Sequence, residues 1–290
     1  MSKSTMNIST SFNSSSTADD IVDSMDLRDK VIVITGTNSG LGKESARVLS
    51  AKGAYIIEIG RSSAAIGQSF IGCDFSDLNQ VQNAIDEVIH LNKKIDVIIC
   101  NAGIMALPHY ESIDGLEKHF FVNHLAHFKL VTALLPYLQE DGRIVVVSSE
   151  AYRLALSQPI LPLTMNATNY QPWRAYGISK LANILFTLAL AQEFNGTKKS
   201  AMAVHPGTVN THLWRNLPKW QRFVYRILAP LIGIKSPAQG AATQVFAAVH
   251  PAAADYNGTY LFNCKVRELD ERALSQNDPA TFWEFSKSLL

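Results

Sequence analysis

Val31-Ile32-Val33-Ile34-Thr35-Gly36-Thr37-Asn38-Ser39-Gly40-Leu41-Gly42 is the stretch that decides the fold. Its β-branched opening, Val31 to Ile34, has the composition of a strand buried on both faces. A turn with glycines at 36, 40 and 42 follows, and Lys43 to Ala51 then reads as a helix. Strand, glycine turn and helix together can hold a pyrophosphate. Glycine lets the backbone bend and approach the phosphates, while unpaired amides and the helix dipole supply the counter-charge. The same pieces also describe an ordinary helix cap, so the turn by itself leaves both readings open.

At 290 residues the chain suits one large domain with a substantial core. A net charge of +1, with 18% charged residues, gives no electrostatic reason to expect nucleic acid as a partner. Cys73, Cys100 and Cys264 are an odd count without Cys-x-x-Cys spacing, which argues against a disulfide framework or structural zinc and fits a reducing compartment. Apolar stretches such as Leu181 to Ala191 are too short to span a bilayer, and no secretory signal is evident. A cytoplasmic location is therefore expected, with peripheral contact to an intracellular membrane as an alternative. Residues 1–25 are rich in Ser, Thr and Asn with few apolar anchors, which predicts a disordered tail ahead of a domain at 26–290. A transit peptide is disfavoured because Lys3 is the only basic residue before Arg28, among Asp19, Asp20 and Asp23.

Further along, Gly53 to Arg61 reads as a second strand and Ser69 to Asp74 as a third. Only the seven residues Ser62 to Gln68 separate them, whereas a parallel crossover ordinarily takes at least about ten to twelve residues including a helix. The crossover helix is missing from this sequence. Asp77 suits the N-cap of a helix over Leu78 to His90, and Asp74 is open to either that role or a ligand contact. Ile95 to Gly103 is a fourth strand and turn, Phe120 to Leu130 a long helix with a polar insertion at Asn123, and Gly142 to Glu150 a fifth strand ending in Ser148 and Ser149. His124 and His127 share a helical face, but no further ligand lies at metal-binding spacing and no metal is expected. Tyr176 and Lys180, four residues apart, place a phenol and an ammonium on one face of a helix. That pair can move a proton to or from a carbonyl oxygen if the cation favours the phenolate.

Thr35-Gly36-x-x-x-Gly40-Leu41-Gly42, Asn101-Ala102-Gly103, Asn123, Ser149, Tyr176-x-x-x-Lys180 and Pro206-Gly207-Thr208-Val209-Asn210-Thr211, in that order, resemble the motifs of classical short-chain dehydrogenases/reductases. Ser148 to Arg153, Ser179 to Thr187 and Ala203 to Gly207 are similar to the retinol dehydrogenase and WW-domain-containing oxidoreductase branch, without the WW domains. The similarity runs from Leu27 to Leu290, with the short crossover excepted.

This resemblance implies a Rossmann-like, doubly wound parallel α/β sheet flanked by helices. It assigns Tyr176 as acid/base, Lys180 as its partner and ribose ligand, Ser149 as a hydrogen bond to the reacting oxygen, and Asn123 as the holder of a water next to the lysine. The cofactor would meet Gly36, Ser39, Gly40, Leu41, Gly42, Arg61, Asp74, Asn101, Ala102, Gly103, Pro206, Gly207, Val209 and Thr211. Gly60 stands where NAD-preferring members carry an acid, and Arg61 follows, so NADP(H) is expected over NAD(H). Cys100 departs from the family's Asn-Asn-Ala-Gly and reads as a small buried hydrophobe.

Residues 212–235 are expected to form a substrate lid, with an apolar stripe from Trp220 to Leu228 opposite Lys219, Arg222 and Arg226. A lipophilic alcohol or carbonyl of the retinoid, steroid or long-chain aldehyde class is the expected substrate. The same stripe also fits a membrane surface. The resemblance pairs the Asn123 helix and the catalytic helix across a homodimer, against burial within one subunit. Asp270 to Leu290 reads as a peripheral helix. The rival to an oxidoreductase is a cofactor-binding scaffold or signalling protein with little turnover, and a sugar-nucleotide epimerase would need a longer C-terminal domain.

Overall fold

A computed structural model describes residues 11–209 and 234–290. In chain order its elements begin with α1 (Ala18–Val22), β1 (Val31–Thr35), α2 (Gly40–Ala51), β2 (Tyr55–Gly60), β3 (Ser69–Gly72), α3 (Leu78–His90) and β4 (Ile95–Cys100). A small hairpin, β5 (Ser112–Ile113) and β6 (Leu116–Glu117), leads into α4 (Lys118–Phe120), a π-helical turn at Phe121–Leu125 and α5 (Ala126–Leu134). Then come β7 (Leu138–Val147), α6 (Pro172–Glu193), β8 (Ser200–His205), α7 (Pro237–Val249), β9 (Thr259–Phe262), β10 (Lys265–Val266), α8 (Arg272–Ser275) and α9 (Pro279–Ser288).

The main sheet has the order β10-β9-β8-β7-β4-β1-β2-β3 and is parallel except at β10. Its central strands are buried on both faces, which is why they read as near-continuous β-branched runs. Alternate side chains feed two cores. Val33, Ile57, Ile98 and Ile144 face the layer of α3, α5 and α6, while Ile32, Ile56, Val97 and Val145 face α1, α2 and α7. The expected doubly wound architecture is the one observed.

Two expectations are corrected. The disordered tail does not extend over residues 11–25. Thr17 and Asp20 close a reciprocal capping box on α1, Ala18, Ile21 and Val22 are buried against the α2/α7 layer, and Phe12 packs edge-on to His250 at 5.3 Å. One helical turn with three apolar residues suffices because the tertiary surface, and not the segment's own composition, offsets the ordering entropy. Residues 1–10 lie outside the described residues.

The C-terminal helix is not peripheral either. Phe282 and Ser286 of α9 are buried, Ser286 Oγ meets His124 Nε2 at 2.9 Å, and Trp283 packs on Phe128 and Phe186 with centroids at 4.9 and 5.9 Å. Thereby α9 packs on α6 and on the Asn123 helix.

A π turn interrupts the Asn123 helix at Phe121–Leu125. No helix among the described residues is long and apolar enough to cross a membrane.

Candidate active site

A cleft of roughly 690 Å³ runs along the C-terminal ends of the strands, where open parallel sheets bind ligands. At one end the turn after β1 is closed by contacts that only glycine tolerates. Gly36 has φ +73°, and a Cβ there would lie 2.8 Å from Ala102 Cα. A Cβ on Gly42 would lie 2.3 Å from Gly36 O and 2.4 Å from Asn101 Nδ2. Ser39 occupies the N-cap of α2 without a side-chain capping bond, so the hydroxyl leaves the first-turn amides free for an anion. Exposed Arg61 lines this end together with Gly60 and Asp74. Asp74 accepts from the Ser76 amide (2.9 Å) and hydroxyl (2.8 Å), and Asp77 takes the N-cap of α3, which leaves Asp74 on the cleft edge. Burial works to raise the Asp74 pKa, but those bonds and the nearby Arg61 charge bring it below the ordinary value.

In the middle of the cleft, Thr35 Oγ1 accepts from the amides of Asn101 and Ala102, each at 2.9 Å, and meets His127 Nε2 at 2.9 Å. The Asn101 side chain donates to Thr35 O and Gly36 O at 2.9 and 3.1 Å, which ties the ends of β4 and β1 together. Cys100 is buried and its thiol is pushed up to about 12, as expected of an inert hydrophobe. His124 and His127 are each engaged by a hydroxyl, with burial pushing both down to about 3, so they are neutral parts of the core.

The end expected to do the chemistry is carried by α6. Tyr176 is buried, and near it stands Ser149, the N-cap of a short 3-10 turn at Glu150–Ala155. Lys180 Nζ donates to Val147 O at 2.9 Å and stands 5.5 Å from the centre of the Tyr176 ring. Ser148 Oγ donates to Lys180 O at 2.8 Å, locking α6 onto the end of β7. Asn123 occupies the π turn, with Oδ1 accepting from Ile104 N (2.8 Å) and Nδ2 donating to Ile104 O (3.0 Å) and Ser179 Oγ (2.9 Å). The π turn supplies the local widening that aims this side chain at a neighbouring loop.

The expectation that a nearby ammonium together with a cationic nicotinamide favours the Tyr176 phenolate is not met by the protein alone. Burial pushes the phenol up to about 12, only partly countered by Ser149, and pushes the ammonium down to about 8. Desolvation of both groups outweighs their mutual effect at this separation. A phenol so buried is a proton donor at neutral pH, and becoming a base requires a further positive charge in the cleft.

Most residues expected to contact cofactor line this one cleft: Gly36, Ser39, Gly40, Leu41, Arg61, Asp74, Asn101, Ala102, Gly103, Pro206, Gly207 and Val209, with Ser149, Tyr176 and Lys180. Gly42 and Asn123 do not. They stand behind the wall and hold it. Thr211 and the lid from 212 to 233 lie outside the described residues; Lys235 pairs with Val209 in a short bridge.

Two groups escaped the motif reading. His119 Nδ1 bonds Glu117 at 2.6 Å, and its Nε2 accepts from Leu107 N at 3.3 Å, steadying the loop beside Tyr176. Glu58 is a fully buried carboxylate within β2. A lone acid in the apolar run Tyr55 to Gly60 was the available signal, because an ionised side chain is buried only where donors compensate it.

The short chain dehydrogenase family profile matches residues 30–159. The chain is 33% identical to short-chain dehydrogenase TIC 32 A, chloroplastic, of Brassica napus, over 96% of this chain and 94% of that protein. It is 34% identical to retinol dehydrogenase 12 of Mus musculus (90% and 86% covered) and 34% identical to the WW domain-containing oxidoreductase of Drosophila melanogaster (96% and 73%). Among solved structures, an uncharacterized protein from Mycobacterium Paratuberculosis is similar with a TM-score of 0.71 at 31% identity, covering 94% of this chain and 96% of that one.

Proposed function

Because the chain belongs to the short-chain dehydrogenase/reductase family, in the branch of the retinol dehydrogenases and the WW domain-containing oxidoreductases, we propose that it interconverts an alcohol and a carbonyl on a lipophilic substrate with NADP(H). The observation that carries this reading is a single cleft with a glycine turn and Arg61 at one end and Tyr176, Ser149 and Lys180 at the other. The donor chemistry fits the cofactor. Amides of α2 and the Arg61 guanidinium suit phosphates, and hydroxyl and ammonium groups suit the nicotinamide ribose and a reacting oxygen.

The nicotinamide, when bound, supplies or accepts the hydride. Tyr176 then donates its phenolic proton to the carbonyl oxygen in reduction, or receives the alcohol proton in oxidation. Ser149 hydrogen-bonds that oxygen and the phenol together, orienting both. Lys180 holds the ribose hydroxyls and, through its charge, stabilises the phenolate once formed. Asn123 positions these groups by fixing Ile104 and Ser179. Ile104, Met105, Leu107 and Trp173 give the substrate end an apolar lining, which suits a retinoid, steroid or long-chain aldehyde.

The test is a titration with NADPH and NADH followed by nicotinamide fluorescence, then turnover with a panel of retinoid, steroid and aliphatic carbonyls. Saturable NADPH binding and NADPH oxidation by one of these carbonyls are expected. Binding without turnover on any of them would favour a cofactor-binding scaffold instead.

A further inference from the structure

The eight residues 61–68 connect β2 to β3 in parallel without the helix such a connection normally carries, and yet β3 pairs in register from Ile57↔Ser69 to Gly60↔Gly72. What replaces the helix is one side chain. The Glu58 carboxylate accepts from Ala64 N (2.9 Å), Ile66 N (3.0 Å) and Gly67 N (2.6 Å), and from the Thr37 hydroxyl (2.5 Å). The loop also closes on β2 through Gln68, whose amide donates to Ile56 O (3.1 Å) and whose side-chain oxygen accepts from Ile56 N (2.7 Å). Gly67 is needed for this approach, since a Cβ there would lie 2.7 Å from Ile56 O.

Thr37 belongs to the glycine turn. Its neighbour Asn38 reaches across to Ser62 Oγ at 3.2 Å, and Asn38, Gly60 and Arg61 all line the cleft. Glu58 does not; it lies fully buried behind them. Arg61 thus stands between the end of β2 and a loop anchored twice, by Asn38 on Ser62 and by Glu58 on residues 64–67. We propose that Glu58 is the positioning residue of the ribose end, a buried carboxylate that binds the shortened crossover to the phosphate turn and thereby sets Arg61 for a 2′-phosphate. The proposal rests on the NADP(H) reading of the cleft. It assigns the discrimination between the two cofactors to a residue that touches neither.

Glu58→Gln separates this role from a merely structural one. The amide retains one acceptor oxygen and presents an NH₂ at the other position. In either orientation a backbone amide, Ala64 in one and Ile66 with Gly67 in the other, faces a donor. An unsatisfied donor of this kind corresponds to roughly a tenfold effect or more. Amide hydrogen exchange at residues 64–67 of the cofactor-free variant is expected to accelerate by about that factor. The NADPH Kd is expected to rise about tenfold, the NADH Kd less than about threefold, and kcat at saturating NADPH to stay within about twofold. Should Glu58→Gln fail to fold, Thr37→Val removes only the hydroxyl donor and is expected to shift the NADPH/NADH ratio in the same direction. Equal weakening of both cofactors, or an unchanged NADPH Kd, overturns the positioning role while leaving the function reading intact. Wild-type protein that binds neither cofactor overturns the function reading, and the proposal with it.

Discussion

At the Tyr176 end of the cleft, the functional side chains ride on a 22-residue helix whose spacing sets their geometry, whereas at the Arg61 end they ride on an eight-residue loop hung from one carboxylate. The helix needs only to be docked: Lys180 and Asn183 donate to the Val147 carbonyl at the end of β7, and Ser148 donates to the Lys180 carbonyl midway along α6. The loop has no internal repeat to define its path, so each turn of it requires an acceptor from elsewhere. The two ends should therefore fail differently. Mutation at the helix end removes chemistry without disturbing structure, and mutation at the loop end removes structure first and cofactor discrimination with it.

Tyr176→Phe tests the first half of this contrast with the largest expected effect. A loss of about 10²–10⁴-fold in kcat, the usual contribution of general acid–base catalysis, is expected with an NADPH Kd unchanged within about twofold. If turnover survives, the proton is handled elsewhere and the helix end is not the chemical one.

Glu58→Ala tests the second half. Deleting the carboxylate leaves the amides of Ala64, Ile66 and Gly67 without their acceptor, a destabilisation of about 3 kcal/mol or more measurable by urea unfolding. There is a pH dependence as well. Burial acts to raise the Glu58 pKa, but the Thr37 and amide bonds together hold it below its ordinary value. The stabilisation is then complete above the unfolded carboxyl range near 4.5 and is lost as pH falls through the depressed folded value. Wild type should accordingly lose its stability advantage over Glu58→Gln on acidification. An advantage that does not decline as pH falls below the unfolded carboxyl range would break the account.

Lys180→Met sharpens the comparison from the stability side. Lys180 is buried with a pKa lowered from 10.5 to about 8, so at pH 7 the folded protein retains a charge that burial disfavours. Between pH 8 and 10.5 the unfolded chain binds the extra proton, and the wild type gains stability as pH rises. The variant should be inactive yet more stable at pH 7, by up to about 2 kcal/mol after allowing for the lost bond to Val147 O, with the gap narrowing above pH 8. Val147 O retains a donor in Asn183 at 3.1 Å. A less stable variant at pH 7 would mean that the ammonium's hydrogen bond outweighs its desolvation.

Arg61→Ala is the mildest test. An exposed side chain on the cleft edge should leave thermal stability unchanged within about 0.5 kcal/mol while weakening NADPH about tenfold and leaving NADH nearly untouched. Equal affinities for wild type and variant would move the phosphate contact away from Arg61.

The sequence was most informative where a local period and a chemical requirement coincide. The β-branched strands, the glycines at 36, 40 and 42, and the four-residue step from Tyr176 to Lys180 are visible in one dimension because strand burial, close backbone approach and helix pitch each constrain residue type at a fixed offset. Even the missing crossover helix could be counted. Position within the site was less legible: Gly42 and Asn123 stand behind the cleft, and Tyr176 is held in its protonated form more firmly than its partner lysine suggests, because burial depends on the layers packed around α6.

What only the tertiary structure decided were the contacts between distant segments. The tail at 11–25 folds because α2 and α7 offer it an apolar surface, and α9 packs on α6 and the Asn123 helix because Phe282, Trp283 and Ser286 meet His124, Phe128 and Phe186 from more than 90 residues away. Glu58 was legible as an oddity in an apolar strand. Its purpose appeared only when the chain turned back and placed three amides and a hydroxyl around it, since a buried charge is defined by its partners, and partners are set by the fold.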